Sequence, residues 1–473
     1  MRSRLGPEIG PALVVDARDG VLLMALVAWA LRKPAGAVVA LRCLAVAALL
    51  VACRTTPERP NIVLVVGDDH GYPDSGFMGN TLVRTPVLDR LAAEGTVFST
   101  GYNTGSTCRP SLRSLLTGLH PYQWEWELWS HPSPKGREAG SRSWMPGRSL
   151  DTLPKLLARQ GYASFQAGKL WDGTYRHYGF TAGTKERWPK GHRALVRMMG
   201  GLDGIAIGRT TMQPVYDFID QHAHQPFFVW FAPLLPHLPH DPSAEHLARY
   251  DGLDLTDCAR RYYANISRLD DAVGGLVDHL ERRGLRSRTL IVYLTDNGWD
   301  QGPHDHYRRR DCGSGPHGKG TMYELAFRTP IIFNWPGHVP AGRVIDEVVS
   351  TVDVFTTLLD VAGVAAPATV VGQSLFPALH GSSPLRPSPV VGHGYPPATG
   401  AATYFVRTPE WHYIWAIGGP VEELYHVATD PGERRNVLAE HPDVVPGLRA
   451  TIEGWKDRLN RLRGSDQSPP TPP

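Results

Sequence analysis

Cysteine is scarce in this 473-residue chain, which contains Cys43, Cys53, Cys108, Cys258 and Cys312. No two of them have the CxxC spacing of a zinc or redox site. The count is odd, and two of the five stand close to the N-terminus. The pattern therefore argues against a framework of disulfides.

The chain also has little excess charge of either sign. It carries 49 Lys and Arg against 46 Asp and Glu, a net charge of +3. A nucleic-acid-binding surface needs concentrated basic charge, so we predict no nucleic acid partner. The 49 glycines and 41 prolines are spread along the chain, which is typical of a large, loop-rich enzyme.

Long apolar runs are missing, and the short one near the N-terminus indicates export. Residues 43–52 follow Arg42 and are too few to span a bilayer, but their length suits the apolar part of a signal peptide. The run ends in Leu50-Val-Ala-Cys53, which resembles a bacterial lipobox. We therefore expect a periplasmic or membrane-anchored lipoprotein, with lipidation at Cys53.

A second apolar run, from Val21 to Leu31, makes this leader unusually long. Translation could therefore start at Met24 instead of Met1. The two runs could also form a membrane hairpin or a single anchor in place of a signal peptide. In each case we expect residues 1–53 to lie outside the fold. The polar, proline-rich residues 464–473 are expected to be disordered.

Buried-strand patterns alternate with helical patterns from residue 60 onward. Strands are predicted from continuous apolar runs rich in β-branched residues, and helices from apolar faces that end at glycine. This alternation predicts an α/β fold with a large, mostly parallel sheet flanked by helices. The predicted strands are 61–66, 226–232, 289–295 and 330–334, and the predicted helices are 85–95, 149–161, 262–284 and 353–363.

The pattern changes near residue 385. Short strand-like pieces follow, and then a helix from Asp443 to Leu462. We predict a main domain over residues 54–385 and a small C-terminal α+β subdomain over residues 386–463.

Acidic pairs follow two of the predicted strands. Asp68 and Asp69 come directly after the strand at 61–66, and Asp296 and Asn297 directly after that at 289–295. Ligands of open α/β sheets bind beyond the carboxyl ends of the strands, so the two pairs can converge. Three carboxylates and an amide oxygen suit Ca²⁺ or Mg²⁺, although both sequences are also common in turns.

The stretch 103–118 places Cys108 two residues before Pro110, at the start of a short apolar run that ends in Thr117-Gly118. By itself, such a cysteine is more often a buried structural residue. Together with the acidic pairs, however, the stretch resembles the signature of type I sulfatases. From about Arg59 to Leu462 the chain is similar to this formylglycine-dependent family of the alkaline-phosphatase superfamily.

The resemblance implies a fold, a cofactor and a nucleophile. Cys108 would be oxidised to formylglycine by a formylglycine-generating enzyme, and its hydrate would attack the sulfur of a sulfate monoester. Asp68, Asp69, Asp296, Asn297 and the modified residue 108 would hold a divalent cation, Ca²⁺ most often and Mg²⁺ possible. The fold would be alkaline-phosphatase-like.

Three more segments fit the family. Lys169 in Gly168-Lys169 and Lys319 in Gly318-Lys-Gly320 match its two sulfate-binding lysines. His237 in Pro236-His-Leu-Pro239 matches its Pro-His-x-Pro segment, which implies contact with the sulfate or with the leaving group. Fixed cations suit the negative charge of a transferring sulfuryl group, and a histidine can protonate the departing alcohol.

Two positions depart from the family pattern. Leu112 stands where the signature usually has arginine, and Arg113 follows one place later, rotated around the helix relative to Cys108. Arg113 is therefore a candidate site residue that would need a local shift of the helix to replace that arginine. Trp171 stands where the family has a histidine after Lys169. His304, His306 or His317 could supply the missing contact, or they could belong to a polar surface loop.

The leading hypothesis is an exported sulfuric-ester hydrolase that acts on a sulfated small molecule or carbohydrate. A phosphodiesterase or phosphonate monoester hydrolase of the same superfamily is the first alternative. A non-catalytic lipoprotein that binds sulfated glycans is the second, because of the substitutions at Leu112 and Trp171.

Overall fold

The computed structural model describes residues 59–123, 150–171, 173–184, 201–301, 312–386, 388–394 and 401–462. They belong to one compact unit that begins at Arg59. The predicted export segment, His304, His306 and the predicted C-terminal tail lie outside the described residues. Within the described part of the chain, no helix combines the length and apolar character needed to cross a membrane.

A nine-stranded sheet forms the centre of the unit. Eight strands follow the order β4-β3-β5-β1-β6-β7-β2-β8, and β9 also pairs with β2. Strand β7 is antiparallel to both of its neighbours, and the other pairings are parallel. The strands are β1 (Asn61–Gly67), β2 (Thr96–Tyr102), β3 (Ala163–Gly168), β4 (Ala182–Gly183), β5 (Phe227–Ala232), β6 (Thr289–Thr295), β7 (Arg328–Asn334), β8 (Arg343–Ile345) and β9 (Val349–Ser350).

Helices cover both faces of this sheet. The α-helices are α1 (Pro86–Ala93), α2 (Cys108–Thr117), α3 (Leu153–Ala158), α4 (Gly201–Ala206), α5 (Gln213–Gln221), α6 (Ala244–Ala248), α7 (Asp257–Arg282), α8 (Glu324–Phe327), α9 (Thr351–Val361), α10 (Phe376–Leu379) and α11 (Val445–Leu462). Short 3₁₀ segments span Gly76–Met78, Tyr175–Tyr178 and Arg286–Arg288. The helix α7 begins five residues before the predicted Tyr262, because the Thr256 side chain caps it by accepting from the Ala259 amide at 3.1 Å.

The central strand β1 is buried on both faces, as its continuous apolar run predicts. Ile62, Leu64 and Val66 pack into one apolar layer, with residues of α2, α3 and α9. Val63 and Val65 pack into the other layer, with residues of α1, α5 and α7. Successive strand residues point to opposite faces, so a strand between two helical layers must be apolar at every position.

A second, smaller sheet follows in the chain. Its antiparallel strands are β10 (Val390–Gly394), β11 (Thr403–Arg407), β12 (Trp411–Ala416) and β13 (Glu422–His426). Helix α11 packs on it through Leu448 and Ile452. The predicted fold class, a large mostly parallel α/β sheet with a small C-terminal α+β part, is confirmed.

The structure corrects one expectation about cysteine. Cys258 and Cys312 form a single disulfide across 54 residues, which the sequence argument against a framework of disulfides did not foresee. A count cannot reveal one bridge between cysteines that only the fold brings together. Among the described residues, Cys108 is the free cysteine, and it is buried.

Candidate active site

The two acidic pairs lie side by side because their strands are neighbours. Gly67 at the end of β1 pairs with Thr295 at the end of β6. The Asp296 amide donates to the Gly67 carbonyl at 2.9 Å, and the Asp69 amide donates to Asp296 Oδ1 at 3.1 Å. Asn297 Nδ2 reaches Asp69 Oδ1 at 2.9 Å. The carboxyl ends of two parallel strands therefore bring the four predicted metal ligands into one cluster.

Three oxygen atoms of this cluster are buried and accept no hydrogen bond within the described structure. They are Asp68 Oδ2, Asp296 Oδ2 and Asn297 Oδ1. Buried polar atoms almost always have a partner, so three such oxygens in one place are typical of a site that can bind a cation. An all-oxygen donor set suits a hard divalent ion. The residues therefore fit the metal that the sequence predicts.

Two lysines border the cluster from opposite sides. Lys169 is 1% exposed, and its Nζ lies 2.6 Å from Asp68 Oδ1 and 3.6 Å from Asp296 Oδ2. Lys319 Nζ lies 2.5 Å from Asp69 Oδ1. Neither lysine is a solvated surface residue, so both can place positive charge beside a bound anion.

The local charges push the pKa values of the carboxylates apart. Burial alone would raise the pKa of Asp69, but Lys319, His237 and Lys169 outweigh it and hold that pKa well below its usual range. Burial and the nearby negative groups hold the pKa of Asp296 well above its usual range. Three carboxylates beside two lysines leave one negative charge unbalanced, so a further cation would favour ionised Asp296.

Cys108 is the first residue of α2 and lies against both Lys319 and Asp69. Its Sγ is 3.0 Å from Lys319 Nζ and 3.9 Å from Asp69 Oδ1. The partial positive charge at the start of a helix favours an anionic oxygen at this residue. One possible ligand atom from each of Asp68, Asp69, Cys108 and His237 lies within 4.8 Å of the others.

The substituted signature position, Leu112, is buried in α2. Leu112 packs with Cys108 in an apolar layer beneath α2. Arg113 is buried further around the same helix, 2% exposed. The role of Arg113 in the site stays a prediction.

His237 follows β5 and faces the same cluster. Its Nε2 lies 3.5 Å from Asp69 Oδ2, and its Nδ1 lies 2.6 Å from the Leu238 carbonyl. A carbonyl can only accept, so Nδ1 carries a hydrogen and Nε2 is the nitrogen that gains or loses a proton. A backbone hydrogen bond joins the segment that carries His237 to the first acidic pair: the Asp68 amide donates to the Leu235 carbonyl at 2.9 Å.

Gly168 places Lys169 at the end of β3. Its φ is +93°, in the region that favours glycine, and a Cβ there would lie 2.1 Å from the Ala232 carbonyl oxygen. The Lys169 amide also donates to that carbonyl, at 2.7 Å. At Gly168-Lys169 the ends of β3 and β5 therefore approach each other closely. This approach directs the Lys169 side chain toward the acidic cluster.

A loop anchored on both sides carries Lys319. Ser314 Oγ accepts from the amides of Asp300 and Lys319, at 3.2 and 3.0 Å. The Gly320 amide donates to the Ser106 carbonyl at 2.9 Å, just ahead of Cys108. These bonds hold the loop that carries Lys319 against the residues just before Cys108.

Two residues bear on the histidine that the family has after Lys169: Trp171, which replaces it, and His317, which was proposed to supply its contact. Trp171 lies with its ring centroid 5.5 Å from Lys169 Nζ, a cation–π contact at the position where the family has histidine. His317 stacks on Tyr323, with ring centroids 4.1 Å apart.

Sequence reasoning did not single out His240, three residues after His237. It is 8% exposed, packs near Tyr262 and Trp299, and neither of its ring nitrogens has a hydrogen-bond partner in the described structure. Burial lowers its pKa to about 4, although nearby Asp69 opposes the shift. A second histidine in the Pro-His-Leu-Pro-His segment was the available signal.

Comparisons with known proteins show the family of this chain. The Sulfatase family model matches residues 60–364, and the model for the C-terminal part of N-sulphoglucosamine sulphohydrolase matches residues 314–462. The N-acetylgalactosamine-6-sulfatase of Mus musculus is 31% identical over 375 residues, covering 71% of this chain and 69% of that protein. Arylsulfatase K of Bos taurus is 25% identical over 466 residues, covering 84% and 82%.

Solved structures share the fold. A protein in complex with its substrate D-glucosamine-2-N,6-O-disulfate has a TM-score of 0.67 at 20% identity, covering 87% of this chain and 99% of that one. The sulfatase PsFucS1 from Pseudoalteromonas sp. has a TM-score of 0.66 at 20% identity, covering 87% and 92%.

A buried oxygen cluster between two lysines, with a cysteine at a helix start, defines a hydrolase built to hold an anionic ester. The chain belongs to the sulfatase family. It is an enzyme that hydrolyses sulfate esters, which confirms the predicted reaction, sulfuric-ester hydrolysis.

Proposed function

We propose that this sulfatase works through a formylglycine formed from Cys108, with Ca²⁺ held by Asp68, Asp69, Asp296 and Asn297. The observation that carries the proposal is the position of Cys108 Sγ, 3.0 Å from Lys319 Nζ at the edge of the oxygen cluster. When residue 108 carries the hydrated aldehyde, one hydroxyl supplies the nucleophile and the other restores the aldehyde as sulfate leaves. Leu112 in place of arginine does not disturb this position, since it lies in the apolar layer under α2.

The metal is proposed to be Ca²⁺, with Mg²⁺ as the second candidate. Three buried oxygens without hydrogen bonds come from three different side chains. Ca²⁺ takes six to eight oxygen ligands in flexible geometry, whereas Mg²⁺ demands a near-ideal octahedron. The metal would polarise an oxygen of the bound sulfate, as Lewis-acid ions do.

The remaining roles, sulfate binding and proton donation, are proposed for Lys169, Lys319 and His237. The two ammonium groups lie on either side of the cluster and would bind the sulfate oxygens, whose negative charge must be stabilised during transfer. His237 Nε2 would give its proton to the alkoxide oxygen of the leaving alcohol as the sulfur–oxygen bond breaks. The Leu238 carbonyl holds the ring so that Nε2 faces the site.

The substrate is proposed to be a sulfated carbohydrate. One relative is named for N-acetylgalactosamine 6-sulfate chemistry, and a solved neighbour carries D-glucosamine-2-N,6-O-disulfate.

Export and lipidation at Cys53 remain part of the proposal. The Cys258–Cys312 disulfide supports export, since such bridges persist in oxidising compartments.

The test is mass spectrometry of the tryptic peptide that contains Cys108 and ends at Arg113. The protein is produced with and without a co-expressed formylglycine-generating enzyme. The expected result is an aldehyde in place of the thiol, and an aryl sulfatase activity that rises in proportion to the aldehyde fraction. The Cys108→Ser variant is the control, and it should complete no more than one turnover.

Three outcomes would overturn parts of this proposal. Repeated turnover by Cys108→Ser would exclude the formylglycine cycle. Faster hydrolysis of an aryl phosphodiester than of the aryl sulfate would favour the phosphodiesterase alternative. An intact thiol with measurable binding of sulfated glycans would favour the non-catalytic lipoprotein.

A further inference from the structure

The backbone at Asp69 has an unusual conformation that the metal pair requires. Its φ is +59°, in the left-handed region that non-glycine residues seldom adopt. Consecutive residues of an extended strand point in opposite directions. The left-handed turn at Asp69 breaks this alternation, so that Asp68 and Asp69 can both face the cluster. This conformation is strained for a residue with a Cβ atom, and other contacts must offset the strain.

Tyr262, almost two hundred residues away in the sequence, supplies such contacts. Its hydroxyl donates to the Asp69 carbonyl at 3.0 Å and accepts from the Gly71 amide at 2.9 Å. The side chain is fully buried. One hydroxyl therefore bridges the two sides of the turn, with both its donor and its acceptor used.

The helix that carries Tyr262 also reaches the other side of the site. Asn265, one turn further along α7, directs Nδ2 toward the carbonyls of Pro236 and Pro239, at 3.5 and 3.4 Å. Residues three apart lie on the same helix face. That face of α7 thus contacts both the metal turn and the segment that carries His237.

We propose that Tyr262 is a positioning residue for the metal centre, whose hydroxyl fixes the left-handed turn at Asp69 before any ion binds. The residue touches neither the substrate nor the reacting atoms. It acts through Asp69, whose carboxylate would otherwise lose its alignment with Asp68 and Asp296. The inference rests on the proposed metal site.

The matched pair of variants is Tyr262→Phe and Tyr263→Phe. Tyr263 is the next residue of the same helix and is equally buried, but its hydroxyl contacts Asp74 at 3.3 Å instead of Asp69. Calcium binding to chelator-treated protein is measured by titration calorimetry without substrate. Tyr262→Phe should weaken calcium binding about tenfold, as losses of outer-shell partners do, whereas Tyr263→Phe should change it less than twofold.

The outcomes separate this inference from the proposed function. If wild-type protein binds no divalent ion, the metal assignment fails. If wild-type protein binds calcium and Tyr262→Phe binds it equally well, or both variants lose the same affinity, only the positioning role fails.

A second measurement needs no variant. Hydrogen exchange of the Gly71 amide in metal-free wild-type protein should be slow, because the hydroxyl already holds that amide. Free exchange of this amide without metal would contradict a turn that is fixed before the ion binds.

Discussion

Two buried clusters with several carboxylates lie in this molecule, and their organisation is opposite. The metal cluster, Asp68, Asp69, Asp296 and Asn297, lies at the ends of β1 and β6 and keeps three oxygens without hydrogen bonds. The junction cluster, Glu324, Arg328, Arg407, His412 and Glu433, lies where the small sheet meets α8. Both oxygens of Glu324 and both of Glu433 have a partner there, and two of those partners are arginines.

The pKa values of the buried carboxylates show the same difference. Burial would raise the pKa of Glu324, but Arg407 and Arg328 outweigh it and hold the pKa below its usual value. In the metal cluster, burial and neighbouring negative groups raise the pKa of Asp296 well above its usual range. The protein supplies the counter-charge in the junction cluster and leaves it to a ligand in the metal cluster. Open oxygens, rather than acidic residues as such, therefore mark the functional site.

The largest expected effects come from exchanging carboxylates for amides in the two clusters. Asp69→Asn removes a metal ligand and a partner of Lys319, so kcat/KM should fall about 10²–10³-fold. Its stability in chelator should stay close to that of the wild type, since two carboxylates then face two lysines. Glu433→Gln should do the reverse, losing about 1–3 kcal/mol of unfolding free energy, because glutamine keeps one acceptor oxygen and so leaves either the Glu324 amide or His412 Nδ1 without an acceptor.

Urea unfolding and aryl sulfate kinetics on both variants test this contrast. Two results would contradict this contrast: a Glu433→Gln protein that keeps its stability and loses activity, or an Asp69→Asn protein that is fully active. Either result would show that the two clusters do not divide structure from catalysis.

The metal cluster was predictable from sequence because its residues directly follow buried strands. A parallel pairing of the two strands is enough to bring the four residues together, and β1 and β6 pair in this way. Lys169 has a similar local signal, since Gly168 allows the close approach of two strand ends.

Other features have no local signal. Tyr262 lies in the second turn of an amphipathic helix, and its contact with Asp69 depends on how α7 packs against the sheet. The Cys258–Cys312 bridge and the junction cluster likewise join residues that only the tertiary structure brings together. Side chains that act across elements leave no periodic or spacing pattern, so sequence reasoning cannot find them.

The next effect concerns the disulfide, which ties the chain leading to Lys319 to the first turn of α7. The Cys258→Ser, Cys312→Ser double variant should lose about 2–4 kcal/mol of unfolding free energy, because the bridge restricts the unfolded chain. Denaturant unfolding with and without reductant measures this loss. Wild-type protein in reductant should match the double variant, which reductant itself should not affect. Equal stability of oxidised wild type and double variant would contradict the prediction.

Calcium should stabilise the protein through the metal cluster alone. At a free concentration of a hundred times its Kd, the ion should add about 2.7 kcal/mol to the unfolding free energy. Melting curves with calcium and with chelator should show this gain in wild type and in Glu433→Gln. Asp69→Asn should show little of it, and an equal gain there would place the ion elsewhere.

A pH-dependent effect extends the comparison to another buried carboxylate, Asp270, which accepts from the amides of Val87 and Leu88 at 3.0 and 2.8 Å. Burial raises its pKa from 3.8 to about 7, although these two bonds oppose the shift. The folded protein then holds a proton that the unfolded chain releases, so this contribution to stability is complete below about pH 4 and is lost as pH rises to about 7. The slope is at most about 1.4 kcal/mol per pH unit. Unfolding free energies between pH 4.5 and 8 should therefore fall more steeply for wild type than for Asp270→Asn, and parallel profiles would show that Asp270 stays ionised in the fold.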